Sequence, residues 1–107
     1  MDNEVLDLPI VNPESIIIHP DGELPKGLYY YVISARREEK EIISSHVLQV
    51  YAPNKYNSIE FAWRYPWLAE YKIYRGTEFG KYDGYFTIDT EWFCDDGRGE
   101  LNLNICQ

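Results

Sequence analysis

Apolar and polar residues alternate with a period of two along most of this chain, the spacing of strands that bury one face. The pattern is clearest over residues 57–76. There Ile59, Phe61 and Trp63 alternate with Glu60, Ala62 and Arg64, and after Tyr65 and Pro66 the alternation resumes with Tyr71 and Ile73 against Lys72 and Tyr74. Two adjacent strands with Trp63 and Tyr71 facing inward would supply much of a core. Upstream, the run 28–35 sorts into one face of Tyr29, Tyr31, Ile33 and Ala35 and another of Tyr30, Val32 and Ser34, and the first is predicted to point inward.

Shorter strands complete the set. Ile16, Ile17 and Ile18 form a brief β run, which His19-Pro20-Asp21-Gly22 is expected to end in a type I turn. Residues 42–52 form a returning strand whose inward face is open, since Leu48 and Val50 compete with Val47 and Tyr51. Residues 85–89 are a short strand. The end of the chain alternates with Leu101, Leu103 and Ile105 inward against Asn102, Asn104 and Cys106. Between these runs lie turn signals: Pro25-Lys26-Gly27, the charged stretch 36–41, the segment 53–57, the glycine-bearing loop 76–84, and Asp95-Asp96-Gly97. No 11-residue window shows helical spacing with a cap. Short strands separated by turns predict an all-β, antiparallel β-sandwich of about seven strands.

Residues 1–14 are acidic, contain Pro9 and Pro13 and lack sustained periodicity, so they are expected to form an extended arm before a single domain over 15–107. The apolar positions of that arm, Val5, Leu6, Leu8, Ile10 and Val11, are candidates for docking onto a neighbouring protein. The start has no basic region followed by an apolar run, so it does not read as an export signal.

Composition narrows the field further. A chain of 107 residues fits one domain. Eighteen acidic against ten basic residues give a net charge of −8, which suits solubility and disfavours binding to phosphate backbones. The longest apolar run is far short of a membrane span. Neither nucleic acid nor membrane is therefore expected as a partner. The two cysteines, Cys94 and Cys106, are too few for a disulfide scaffold and are expected to be free thiols, although nothing in their spacing forbids pairing.

Candidate chemistry is sparse. His19, His46, Cys94 and Cys106 lack the paired spacing of a zinc site, and Asp95-Asp96-Gly97 lacks the alternating carboxylates of a calcium loop. Ser44 and His46 would share one face of a strand, but no acid completes a triad. The expectation is a chain without catalytic residues, metal or cofactor. Aromatics are the more informative signal. Tyr65, Trp67, Tyr74 and Tyr82 are predicted in loops or on the outer face, where a flat array of rings could stack on a glycan or anchor a protein interface.

The segments GLYYYVISA and SSHVLQVYA resemble the last two strands of a fibronectin type III-like or Ig-like module. SIEFAWRYPWLAEYKIYRGTEFGKY resembles the early strands of such a module, and FCDDG its following strand. The resemblance covers about residues 27–97 and is to modules of tailed-bacteriophage structural proteins. It implies that Trp63 is the core tryptophan, Tyr71 its partner and Tyr29 the corner tyrosine, with Tyr31, Ile33 and Ala35 following inward. The late strands come first here, so the module would be circularly permuted. Trp67 stands where the family usually has a small residue. The function implied is a non-enzymatic virion accessory protein assembled in host cytoplasm. It would decorate the capsid, or else join the tail, by binding the major capsid protein, other virion proteins or itself. The alternative is a glycan-binding, host-adhesion module.

Overall fold

The computed structural model describes residues 9–37, 40–42, 45–67 and 69–97. Among them there is no α-helix, and the elements are seven strands and one short 3-10 turn. The strands are β1 (Ile10–Val11), β2 (Ile17–Arg37), β3 (Lys40–Ile42), β4 (Leu48–Arg64), β5 (Glu70–Gly76), β6 (Gly84–Ile88) and β7 (Trp92–Asp95). Every pairing is antiparallel.

Two strands are far longer than the sequence pattern suggests, and each serves two sets of partners. The second half of β2 pairs with the first half of β4 from Leu28↔Tyr51 to Tyr31↔Leu48. Its other edge pairs with β5, Ile33 opposite Ile73, and β5 in turn pairs with β6, Ile73 opposite Phe86. The first residues of β2 instead meet the second half of β4, Ile17↔Glu60, while β7 lies on that part of β4 with Phe61↔Phe93. β1 joins at Ile10↔Arg64 and Val11↔Trp63.

Between these two groups the register of β2 and β4 slips twice, between His19 and Leu24 and between Pro25 and Gly27. The expected type I turn at Pro20-Asp21-Gly22 is therefore an irregular stretch within a continuing strand. Gly22 takes φ 145°, and a side chain there would run into the Asn57 carbonyl, 2.3 Å from where a Cβ would sit. Asn57, fully buried, fixes the crossing on the β4 side. Its Nδ2 donates to the Leu24 and Asn54 carbonyls, and its Oδ1 accepts from the Asn54 backbone and side chain. A buried amide with both ends satisfied stabilises an irregular stretch of backbone without stranding polar groups.

The core lies where aromatic residues of the two pairing groups meet. Tyr31 rests on Phe61 at 5.0 Å, Trp63 on Tyr71 at 5.2 Å and Phe86 on Phe93 at 5.3 Å, in tilted or edge-on arrangements that aromatic quadrupoles favour. Ile33, Ala35, Ile59 and Ile73 fill the space between and are inaccessible to solvent. The inward assignments of Tyr29, Tyr31, Ile33 and Ala35 hold, as do those of Phe61, Trp63, Tyr71 and Ile73. The open register of the returning strand resolves towards Val50 and Ala52, both buried, with Tyr51 outward.

Two further expectations change. Ile10 and Val11 are not part of a free arm but pair with β4, while Val5, Leu6 and Leu8 lie outside the described residues, as do Leu101, Leu103 and Ile105. Cys94 is buried and disulfide-bonded rather than a free thiol; the sequence's other cysteine, Cys106, lies outside the described residues.

Candidate functional site

The four aromatic residues singled out from sequence do not form one array. Tyr65 is buried at 5% exposure, contrary to expectation, because it follows the end of β4 and turns back onto Tyr71 and Trp67. Trp67 is half-buried against the core, with the Arg37 guanidinium 4.1 Å above its ring. A cation over an indole face caps it from solvent. These two rings extend the core.

Tyr74 and Tyr82 belong elsewhere. Tyr74 points outward from β5, half-buried between Tyr82 at 6.2 Å and Tyr85 at 5.4 Å. The planes are inclined by 62° and 53°, so these rings pack edge to face and offer no flat platform. The Lys72 ammonium lies 4.8 Å over Tyr85. Sequence reasoning missed the neighbours that complete this surface. Cross-strand partners share a face, so Leu28 stands beside Tyr51, Tyr30 beside Gln49, and Val32 beside Tyr74. Phe79, in the loop after β5, packs edge-on to Tyr30 at 5.9 Å and is itself 71% exposed. Alternation already places Tyr30 outward, and it places Tyr51 there too once Val50 is known to be inward.

The strongest polar cluster is internal. Asp95, at 2% exposure, accepts from Arg75 Nη1 through both carboxylate oxygens at 2.7 and 2.9 Å. It also accepts from the Tyr31 hydroxyl at 2.7 Å and from the Gly97 backbone at 3.0 Å. Burial and the Asp95 charge push the Tyr31 phenol well above its usual range. Burial works against the Arg75 charge, but Asp95 more than offsets it and holds the guanidinium protonated. Tyr71, whose hydroxyl donates to Glu91 at 3.4 Å, is pushed up to about 12 by burial and then by the Glu91 charge. With both oxygens engaged, Asp95 ties β7 to β5 and β2.

A depression of about 700 Å3 opens beside this cluster, lined by residues that include Leu24, Leu28, Tyr29, Tyr51, Arg75 and Asp83. Its Tyr29 hydroxyl donates back to the Pro25 carbonyl. The histidines are apart. His19 Nε2 sits 2.9 Å from Glu60 Oε1, and Trp92 Nε1 donates to the other oxygen of Glu60 at 2.6 Å. His46 is exposed. Next to it Ser45 is spent on structure, its hydroxyl accepting from the Ile33 backbone and donating to the His46 carbonyl; Ser44 lies outside the described residues. No group of three or more His, Cys, Asp or Glu able to hold a metal occurs among the described residues.

No protein-family model, no curated protein and no solved structure matches this chain.

Proposed function

We propose that the chain is a β-sandwich of the fibronectin type III-like or Ig-like kind, circularly permuted, and that it works as a non-enzymatic accessory protein on the particle of a tailed bacteriophage. The pairing map is the observation that carries the fold reading. One layer would comprise the start of β2, the end of β4 and β7; the other would comprise the start of β4, the end of β2, β5 and β6. The Tyr29 hydroxyl bonded to a carbonyl four residues upstream supports it, as the corner tyrosine of such sandwiches makes this bond.

The virion assignment rests on the sequence resemblance over residues 27–97. In this reading the segment ahead of Pro9, with Val5, Leu6 and Leu8, docks onto the major capsid protein or another virion protein, while the acidic domain faces solvent. β1 ties that segment to β4 at Trp63, so force on the arm would be delivered straight to the core. Purified protein mixed with particles lacking it, as full-length chain and with residues 1–8 deleted, tests both parts. Binding of the full chain alone supports the assignment. Equal binding removes the arm's role, and failure of both to bind removes the virion. The glycan-binding alternative is less favoured by the geometry, since sugar stacking needs an open ring face and the Tyr74, Tyr82 and Tyr85 rings are mutually inclined.

A further inference from the structure

We propose that the depression of about 700 Å3 where β2 and β4 slip in register is a binding site for an uncharged, hydroxyl-rich ligand, a sugar ring. The site is independent of the virion reading. It lies apart from the inclined rings of Tyr74, Tyr82 and Tyr85, none of which lines it. Its walls come from the irregular stretch of β2 with Leu24 and Leu28, from Tyr51 on β4, and from Arg75, Thr77 and Asp83 at and beyond the end of β5.

Tyr51 supplies the ring. It is 51% exposed and, unlike the tyrosines of β5 and β6, packs against no other ring and no cation among the described residues. The negative face of an aromatic ring attracts C–H bonds made positive by neighbouring hydroxyls, and a sugar presents such bonds on one side.

Arg75 and Asp83 supply the polar contacts. Only Nη1 of Arg75 is engaged, by Asp95. Nη2 and Nε meet no acceptor among the described residues, although the side chain is only 22% exposed. The Asp83 backbone donates to the Arg75 carbonyl at 2.7 Å. Its carboxylate makes no hydrogen bond or ion pair among the described residues, and neither does the Thr77 hydroxyl. The depression thus gathers donors that lack acceptors, an acceptor that lacks donors, and a hydroxyl that is both. Half-buried groups of this kind gain most from a partner that replaces lost water.

Charge selects the ligand. Arg75 and Lys26 stand against Asp95, Asp83 and Glu23 on a chain of net −8, so phosphates and carboxylates are repelled. A cation would meet Arg75 and Lys26. A hydroxyl donates and accepts, so neighbouring hydroxyls of one sugar can serve a guanidinium and a carboxylate at once. The volume falls within the roughly 300–1,000 Å3 of small-molecule sites. With one stacking ring and an open mouth, the site should hold a single sugar with a dissociation constant of about 1 mM.

Amide chemical shifts of the full chain, titrated to about 100 mM with glucose, galactose, mannose or N-acetylglucosamine, test this. At least one of these should give saturable shifts at Tyr51, Thr77 and Asp83. The open-chain alditol of that sugar, which has hydroxyls but no ring, and its phosphate ester, which adds charge, should bind more weakly by roughly fivefold or more. Tyr51→Ala and Asp83→Asn should each weaken binding by roughly fivefold or more, and Tyr51→Phe should keep it. Tyr85→Ala, outside the depression, should leave it unchanged. No saturable shift with any of the four sugars overturns the proposal. So does binding that survives Tyr51→Ala or Asp83→Asn, or that prefers the phosphate ester.

Discussion

Tyr30 and Tyr31 are neighbours in one strand, and they live in different solvents. Tyr31 has no accessible surface, lies on Phe61 and donates a hydrogen bond to the buried Asp95 carboxylate; Tyr30 stands on the outer face under Phe79. The same division runs along β5, where Tyr71 is sealed against Trp63 and Tyr74 is half open beside Tyr85. Identical residues thus do opposite work, and what separates them is a shift of one position along a pleat. Tyrosine suits both faces because its ring fills a core and its hydroxyl tolerates water. A chain with ten tyrosines can build a core and a solvent-facing surface from one residue type.

The difference between the faces should be measurable as a graded series. Trp63→Ala should be the most damaging, costing about 3–5 kcal/mol of folding stability in denaturant titration, because it empties the contact with Phe61 and Tyr71. Arg75→Met should follow at about 2–4 kcal/mol, since it leaves the Asp95 charge buried with only neutral donors.

Alkali should then separate the inner tyrosines from the outer ones. Tyr71 titrates near 12 when folded and near 10 when unfolded, so the unfolded state loses its proton first. Its contribution is fully present below pH 10 and is lost as pH rises towards 12, amounting to about 2–3 kcal/mol. Tyr71→Phe should make that stretch of the stability–pH curve less steep, the remaining slope belonging to Tyr31 and Tyr29, whose phenols are also raised by burial. Tyr29→Phe, which removes only the bond to the Pro25 carbonyl, should cost about 1 kcal/mol. Smallest of all, Tyr85→Ala should change stability by less than about 0.5 kcal/mol, within the range of surface substitutions. A loss at Tyr85 comparable to that at Trp63 would erase the distinction between the two faces.

How much of this is legible in the sequence depends on how local the cause is. The inward sets around Phe61, Ile73 and Tyr31 follow from alternation, because burial on a sheet repeats every second residue. The continuity of β2 through Pro20, Gly22 and Pro25 does not, since those residues signal turns locally and their conformation is decided by Asn57 and Ser58 across the strand pair. Tyr65 looked exposed because it borders a proline in a loop, yet the chain folds back so that Trp67, two positions on, and Tyr71, six positions on, pack against it. Arg75 and Asp95 are twenty positions apart and give no pattern by which to find each other. Phe79 is the same case in reverse: a lone aromatic in a glycine-rich loop, it gains meaning only when Tyr30 is seen beneath it.

β2 and β4 each run through both pairing groups, and this has a consequence for how the molecule comes apart. In a protein whose layers are built from separate strands, one layer can open while the other persists. Here, releasing the start of β2 from Glu60 loosens the same chain that holds Ile33 against Ile73, and releasing Phe61 from Phe93 loosens the strand that holds Val50 against Tyr29. Partial opening is therefore penalised on both sides at once. The amides of Ile33 and Phe61 should exchange with solvent through one global event with a common opening free energy, leaving fraying to edge strands such as β6.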